Sequence, residues 1–204
     1  MRITVIGGSG ATGSAVVAEA ARRGHTVTSV TRSGMHAEGA TADVVADLAD
    51  TPAVVDLVDA ADATIIAVSP DRTGGPVQPV VDAFAALVAA RPAGRLVVVG
   101  GAGSLLDAEG RRIVDDPAFP EDYRNEALAF ADVLELFRAA GDAVAWTLVS
   151  PAPGYPVPES SGAYVSGSDS PVGDTLSAAD MALALVDEAE RDAHRGTRFT
   201  VAGA

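Results

Sequence analysis

Met1-Arg-Ile-Thr-Val-Ile6 runs directly into Gly7-Gly-Ser-Gly10-Ala-Thr-Gly13, and from there into Ser14-Ala-Val-Val-Ala-Glu-Ala-Ala-Arg-Arg23. The first segment is short, apolar and β-branched, the pattern of a buried strand. The last is alanine-rich and helix-prone. Between them stand three glycines spaced G-x-x-G-x-x-G. In a strand–turn–helix setting each glycine has a physical task. Gly7 permits the tight turn, Gly10 lets a backbone approach a pyrophosphate, and Gly13 lets the helix pack close to the strand. Unpaired N–H groups in the first helical turn, at the positive end of the helix dipole, then favour phosphates. The stretch predicts a dinucleotide site rather than an ordinary glycine-rich turn.

Downstream, Gly24 is a C-cap and Thr26–Thr31 a second strand, followed at once by Arg32. An acidic residue at this distance binds the ribose 2′-hydroxyl of NAD, whereas a basic one accommodates the 2′-phosphate of NADP. Arg32 lies nineteen positions beyond Gly13, with Ser33 beside it to assist. NADP(H) is therefore expected over NAD(H). His36, in the loop beyond, is expected at the surface, with an approach to the same phosphate as the alternative. Val44–Ala46 reads as a third strand ending in Asp47 and Leu48, which are candidate adenine contacts. Thr51 and Pro52 suit the N-cap and first position of a helix. Asp62–Val68 is a continuous apolar strand, and Ser69 and Pro70 leave its carboxyl end, where open α/β sheets bind ligands. Arg72, in the Asp71–Pro76 loop, either reaches phosphate or faces water.

Gln78–Ala90 is an apolar helix expected to be well buried. Arg95–Val99 is a fifth strand, Tyr123–Ala140 a helix, and Ala145–Val149 a sixth strand. Ser150–Pro158 holds four prolines, which argues against regular structure there and suggests a cover over the nicotinamide side. Ala163–Ser166 reads as a short strand of a small lobe, Ser177-Ala-Ala-Asp180 as a capping box opening a helix, and Thr197–Val201 as an edge strand. The repeated β-α alternation predicts one domain over residues 1–204, a parallel, doubly wound sheet with a small C-terminal substrate lobe.

The bulk numbers agree with such a domain. The chain has 204 residues, 48% hydrophobic, and 28 acidic against 14 basic side chains for a formal charge of −14. That surface disfavours nucleic acid and anionic membranes as partners. Cysteine is absent, which excludes disulfides and thiolate chemistry. The amino terminus enters a core strand at once and no apolar run is long enough to cross a bilayer, so a cytoplasmic chain, monomeric or homodimeric, is expected. His25 and His194 flank helix ends and are expected to be exposed, with no metal site in view.

Six stretches together resemble the atypical short-chain dehydrogenase/reductases, especially the group with biliverdin reductase B and bacterial NADH-flavin reductase-like proteins. They are Ile6–Ser14, Val30–Arg32, Ala46–Leu48, Val98–Ser104, Trp146–Pro151 and Arg198–Val201, in order and spread over nearly the whole chain. The resemblance implies a Rossmann-type sheet and hydride transfer from a nicotinamide cofactor to a flavin or similar conjugated acceptor. It implies that Gly7, Ser9, Gly10, Ala11 and Thr12 hold the pyrophosphate, and that Arg32 meets the 2′-phosphate. Val68, Ser69 and Pro70 would flank the nicotinamide ribose. Members often carry a basic or long polar residue where Ala11 stands, so one phosphate contact is missing. Ser104 occupies a family serine position, where it either hydrogen-bonds the acceptor or cofactor as a catalytic residue or caps its loop. Tyr123, Pro151 and Tyr155 are candidate walls of the acceptor pocket, the tyrosines otherwise being packing residues.

Short-chain dehydrogenases that reduce carbonyls use a Tyr-x-x-x-Lys pair on the helix before strand six. Here Tyr123 is followed four positions later by Ala127, and the chain contains no lysine. Alignment through Trp146 and Pro151 places the expected pair nearer Glu126 and Phe130. Alcohol or ketone chemistry by that route is disfavoured. The leading expectation is a small-molecule hydride acceptor of the flavin type. The alternative is a non-catalytic NADP(H) redox sensor resembling nitrogen-metabolite-repressor-like proteins, with a sugar epimerase a distant third.

Overall fold

Alternating side chains on the strands build two apolar layers, one on each face of a single sheet. Ile3, Val5, Ile65, Val97, Val149 and Phe199 face one way; Ile6, Ile66, Leu96, Val98, Trp146 and Leu148 face the other. The computed structural model describes residues 1–70 and 75–204. Its strands are β1 (Arg2–Ile6), β2 (Thr26–Thr31), β3 (Ala42–Val45), β4 (Ala63–Ile66), β5 (Leu96–Val99), β6 (Trp146–Pro151), β7 (Gly154–Val157), β8 (Tyr164–Gly167), β9 (Thr175–Ser177) and β10 (Thr197–Gly203). The helices are α1 (Ala11–Arg22), α2 (Thr51–Ala60), α3 (Gln78–Ala90), α4 (Glu121–Ala140) and α5 (Ala178–Arg191).

The main sheet has the order β3-β2-β1-β4-β5-β6-β10-β8. All neighbours pair in parallel except β8, which runs antiparallel to β10. The chain leaves β1 toward β2 on one side and reaches β4 on the other. That reversal opens the crevice in which doubly wound sheets take their ligands. α1 and α5 belong to the layer containing Val16, Val17, Leu185 and Val186, while α2, α3 and α4 supply Val54, Phe84 and Phe137 to the other. In that second layer Phe137 bridges Phe84 and Trp146, with ring centroids 6.0 and 5.5 Å apart. Trp146 is a core residue, as its strand position predicts.

Several boundaries differ from the sequence reading. Asp50, not Thr51, caps α2, its carboxylate accepting the Ala53 N–H. α1 begins at Ala11, inside the glycine motif, and ends in a Schellman turn in which Gly24 and His25 donate to the carbonyls of Ala21 and Ala20. α3 buries only Ala83, Phe84 and Leu87 fully, because its uniform apolar sequence has no second layer to cover its outer side. The proline-rich stretch is partly regular: β6 continues through Pro151, and Gly154–Val157 forms β7. Prolines are tolerated there because Pro151 ends its strand and, among the described residues, β7 pairs only with β9 in a separate two-stranded sheet. β10 is not an edge strand; it lies between β6 and β8 with five consecutive buried residues, and β8 forms the edge. The lobe is thus β7, β9 and their loops, tied to the main sheet through β8 and α5.

The histidines also differ. His25 is mostly buried, with Nε2 2.8 Å from Glu190. His194 stacks on Phe199 and lies 2.7 Å from Glu188. Both face carboxylates that sequence distance conceals. His36 is exposed as expected, 2.5 Å from Asp43, and this hydrogen bond holds the Asp43 carboxyl below the usual carboxylate range. Arg72 lies outside the described residues. Among the described residues no helix is long and apolar enough to cross a membrane, and no cluster of three or more His, Asp or Glu side chains is arranged to hold a metal ion.

Candidate dinucleotide site

The turn between β1 and α1 is shaped by backbone contact. Gly7 has φ of +91°, and a Cβ there would lie 2.5 Å from the Ala67 carbonyl oxygen. A Cβ on Gly13 would lie 2.0 Å from the Gly7 carbonyl oxygen, so only glycine lets α1 descend against the turn. Gly8, which the spacing argument passes over, is also close to a neighbour, but a side chain rather than backbone: its Cβ would meet Ser29 Oγ at 2.2 Å. Gly10 is different. It is exposed, and the nearest atom to its hypothetical Cβ is 3.4 Å away. The fold does not need glycine at that position, whereas a pyrophosphate lying against the backbone does.

The polar atoms of the turn are oriented to match. Gly7 and Gly8 both donate to the Val30 carbonyl, and Gly10 donates to that of Gly7. Gly10 is also the N-cap of α1, where no side chain caps the helix and no acidic residue stands in the first turn. The leading N–H groups of α1 have no intrahelical acceptor, so this end accepts an anion without displacing a protein group. Ser9 and Ala11 are exposed beside it, and Thr12 is half-buried. Thr12 Oγ1 is hydrogen-bonded to the hydroxyl of Tyr155, which reaches across from β7. Val68 leans on Gly7 from the end of β4, its Cγ2 3.3 Å from the hypothetical Gly7 Cβ. Ser69 next to it is exposed and Pro70 buried. These features fit a dinucleotide diphosphate at the turn.

At the end of β2, Arg32 is 83% exposed and its Nε stands 3.9 Å from the Asp47 carboxylate. Ser33 is exposed, its hydroxyl accepting the Met35 N–H. Asp47 also accepts the Ala49 N–H at 2.9 Å. Leu48 points into the core with Ile6, Val30 and Val54. The structure thus brings Arg32, Ser33 and Asp47 together on one open rim, and assigns Leu48 to packing beneath it.

The acceptor-side candidates are more scattered. Tyr123 opens α4 and is 64% exposed. Pro151 is the buried last residue of β6. Ser104 is 7% exposed, with its hydroxyl 3.4 Å and its carbonyl 3.5 Å from the guanidinium of Arg198. That guanidinium, 1% exposed, also binds Asp169 from the loop after β8, and Asp169 in turn accepts the Leu106 N–H through its carbonyl. Ser104 is therefore part of a staple joining the β5 loop to β10 and the lobe. A hollow of about 490 Å³ opens between Val157, Glu159, Ser161 and Thr175, with none of the glycine-turn residues in its lining.

Asp180 was legible in the sequence only as half of a capping box. Ser177 does cap α5, its hydroxyl accepting the Asp180 N–H at 3.0 Å. The Asp180 carboxylate, fully buried, also collects the Ser160 hydroxyl at 2.6 Å and the N–H groups of Ser161 and Gly162, both at 3.0 Å. Burial pushes its pKa upward, but the hydrogen bonds from Ser160, Ser177, Ser161 and Gly162 prevail and hold it below the usual carboxylate range. One carboxylate thereby pins the lobe loop to the helix that packs on α1. At the opposite end of α5, buried Arg95 and Glu188 pair at 2.6 Å, with Thr147 and His194 completing the Glu188 carboxylate.

A parallel sheet with its strand-order reversal beside an uncapped, glycine-lined helix N-terminus defines a dinucleotide-binding α/β protein. The model of a family described as NAD(P)H-binding matches residues 7–192, and the chain belongs to that family. It is 34% identical to uncharacterized protein YwnB of Bacillus subtilis, over 98% of each chain. It is similar to the structure of a "putative NADH-flavin reductase" from Streptococcus pneumoniae, with 33% identity, full coverage of both chains and a TM-score of 0.86. A "putative epimerase" from Bacteroides thetaiotaomicron is 30% identical, covering 99% of this chain and 96% of that one, with a TM-score of 0.84. The family match and the Streptococcus likeness agree with an NAD(P)H-dependent oxidoreductase of the flavin reductase-like kind.

Proposed function

We propose that the protein is an NADPH-dependent reductase that passes hydride to a flavin or another planar, conjugated small molecule. The observation that carries this reading is the uncapped glycine turn, joined to a chain that contains no lysine and therefore no Tyr-x-x-x-Lys pair. At the position expected for the lysine, Phe130 is buried and packs over Gly101. A conjugated acceptor needs less from the protein than a carbonyl does. It delocalises the charge it receives, and solvent delivers the proton to an exposed heteroatom.

Bound NADPH would supply the hydride from its nicotinamide ring. The chain's own part is to fix that ring and exclude alternatives, a proximity effect. The α1 N-terminus and the Gly10 backbone hold the diphosphate. Val68, Ser69 and Pro70 support the nicotinamide ribose from the end of β4. Arg32, with Ser33, meets the 2′-phosphate on the open rim, which supports NADP(H) over NAD(H). The formal charge of −14 favours a small-molecule partner over nucleic acid, and we place the protein in the cytoplasm. NADPH consumption against FMN, riboflavin, quinones and linear tetrapyrroles tests the reading. Binding of NADPH without turnover on any of these would transfer the assignment to the redox-sensor alternative.

A further inference from the structure

Tyr155 and Thr12 belong to different parts of the molecule. Thr12 is in the first turn of α1, within the glycine motif; Tyr155 is on β7, in the two-stranded lobe. Their hydroxyls are nevertheless hydrogen-bonded to each other. The Tyr155 ring packs against the buried cluster formed by α1, α5 and the sheet, so the hydroxyl is carried to Thr12 on an anchored support. The lobe behind it is also tied down. Gly154 donates to the Asp174 carbonyl at 2.8 Å, β7 pairs with β9, and Ser177 at the end of β9 caps α5.

A threonine hydroxyl has one proton and two lone pairs. At the N-terminus of α1 its proton is best directed at the anion the helix attracts. Tyr155 then donates to Thr12, and Thr12 donates to a phosphate oxygen. In such a chain each bond polarises the next in the same sense, so filling the diphosphate position strengthens the bond to Tyr155. We propose that Tyr155 is a positioning residue for the cofactor diphosphate, acting through Thr12, and that this two-hydroxyl chain couples cofactor binding to the seating of the β7–β9 lobe. The inference rests on the dinucleotide site of the family and not on the identity of the hydride acceptor.

The test uses the whole protein and three ligands: NADPH, ADP-ribose and adenosine 2′-monophosphate, with dissociation constants measured by titration calorimetry. Tyr155→Phe removes one hydroxyl and keeps the ring. It is expected to weaken NADPH and ADP-ribose by about 3- to 10-fold, the worth of one hydrogen bond. Adenosine 2′-monophosphate, which lacks a diphosphate, should bind as to the wild type. Thr12→Val should reproduce the loss and Thr12→Ser should not. Combining Tyr155→Phe with Thr12→Val should cost no more than Thr12→Val alone. Hydrogen exchange supplies a readout independent of affinity: saturating ADP-ribose should slow exchange in 154–162 and 175–177 in the wild type but not in Tyr155→Phe. Undiminished ADP-ribose affinity in Tyr155→Phe would overturn the proposal. So would an equal loss for all three ligands, or additive effects of the two substitutions.

Discussion

The guanidinium of Arg198 faces both the hydroxyl and the carbonyl of Ser104, at 3.4 and 3.5 Å, and so occupies the surroundings that a catalytic serine would offer to substrate. The geometry is that of a loop anchor. Ser104→Ala is expected to change NADPH turnover by less than about 3-fold and stability by about 1 kcal/mol, the net worth of a neutral partner in a long hydrogen bond. Arg198→Ala should cost more, about 2–4 kcal/mol, because it leaves a cavity beside β10 and releases Asp169 and the Ser104 carbonyl together. Urea unfolding and steady-state rates on both variants check this. A loss of turnover beyond 100-fold in Ser104→Ala, with stability retained, would restore the catalytic reading.

The two glycines at the ends of the first helix turn separate folding from binding. Gly10→Ala places its methyl 3.4 Å from the nearest atom, so the melting temperature should stay within a few degrees of the wild type. The same methyl projects where the diphosphate must approach the backbone, and NADPH affinity should fall at least about 10-fold. Gly13→Ala is the reverse case. Its methyl would lie 2.0 Å from the Gly7 carbonyl oxygen, against the Gly7–Gly8 backbone and with no flexible side-chain atom to yield. Destabilisation above about 3 kcal/mol is expected, with binding lost as a consequence. Thermal melts and NADPH titrations on the pair distinguish the two outcomes.

Asp180 gives the molecule a calculable response to acid. Its folded-state pKa is depressed by four donors, so it contributes stability that is fully present above the unfolded carboxylate value of 3.8 and is lost as pH falls through the folded value. The window therefore lies below about pH 4. Asp180→Asn keeps the shape but cannot titrate. It should cost about 2–4 kcal/mol at pH 7, since an amide cannot accept from all the donors the carboxylate serves. The gap between variant and wild type should then narrow on going to pH 3. Urea midpoints at the two pH values give the measurement; a gap that widens in acid contradicts the assignment.

What the sequence disclosed about this fold was mainly local. Gly7, Gly10 and Gly13 declare a turn through their spacing between a strand and a helix, although only Gly13 answers a steric requirement within a dozen residues, that of the Gly7 carbonyl, while Gly7 is confined by Ala67 from across the sheet. The central strands β4, β5 and β6 declare themselves because each is buried on both faces. Ser177 and Asp180 are visible as a cap for the same reason. The Asp180 carboxylate's other partners, Ser160, Ser161 and Gly162, lie 18 to 20 positions away, and those of Glu188 include Arg95 at 93 positions. No periodicity spans such distances. The proline-rich segment misled for a different reason. Proline forbids donation to a ladder, and whether donation is required depends on a partner strand that only the tertiary fold supplies. Tyr155 illustrates both limits: its place near the site was open to inference, but its bond to Thr12 was not.

Arg32 tests the cofactor preference with little interference from folding. At 83% exposure, with Asp47 at 3.9 Å its partner among the described residues, it contributes little to stability, and Arg32→Ala should melt within about 2 °C of the wild type. Its expected role is to meet the dianionic 2′-phosphate, a charge-assisted contact worth about 1.5–3 kcal/mol. Arg32→Ala should therefore weaken NADPH by roughly 10- to 100-fold and leave NADH nearly unchanged. Because the rim is open to solvent, the wild-type advantage for NADPH should also shrink as salt rises from 50 to about 500 mM, while NADH binding stays level. Asp47→Asn adds the opposite sign: removing the competing carboxylate should strengthen NADPH by about 2- to 5-fold without affecting NADH. Parallel titrations of both nucleotides against the three proteins decide the matter. Equal affinity for NADH and NADPH in the wild type, unmoved by Arg32→Ala, would assign Arg32 to the solvent and leave the protein without a 2′-phosphate site on this rim.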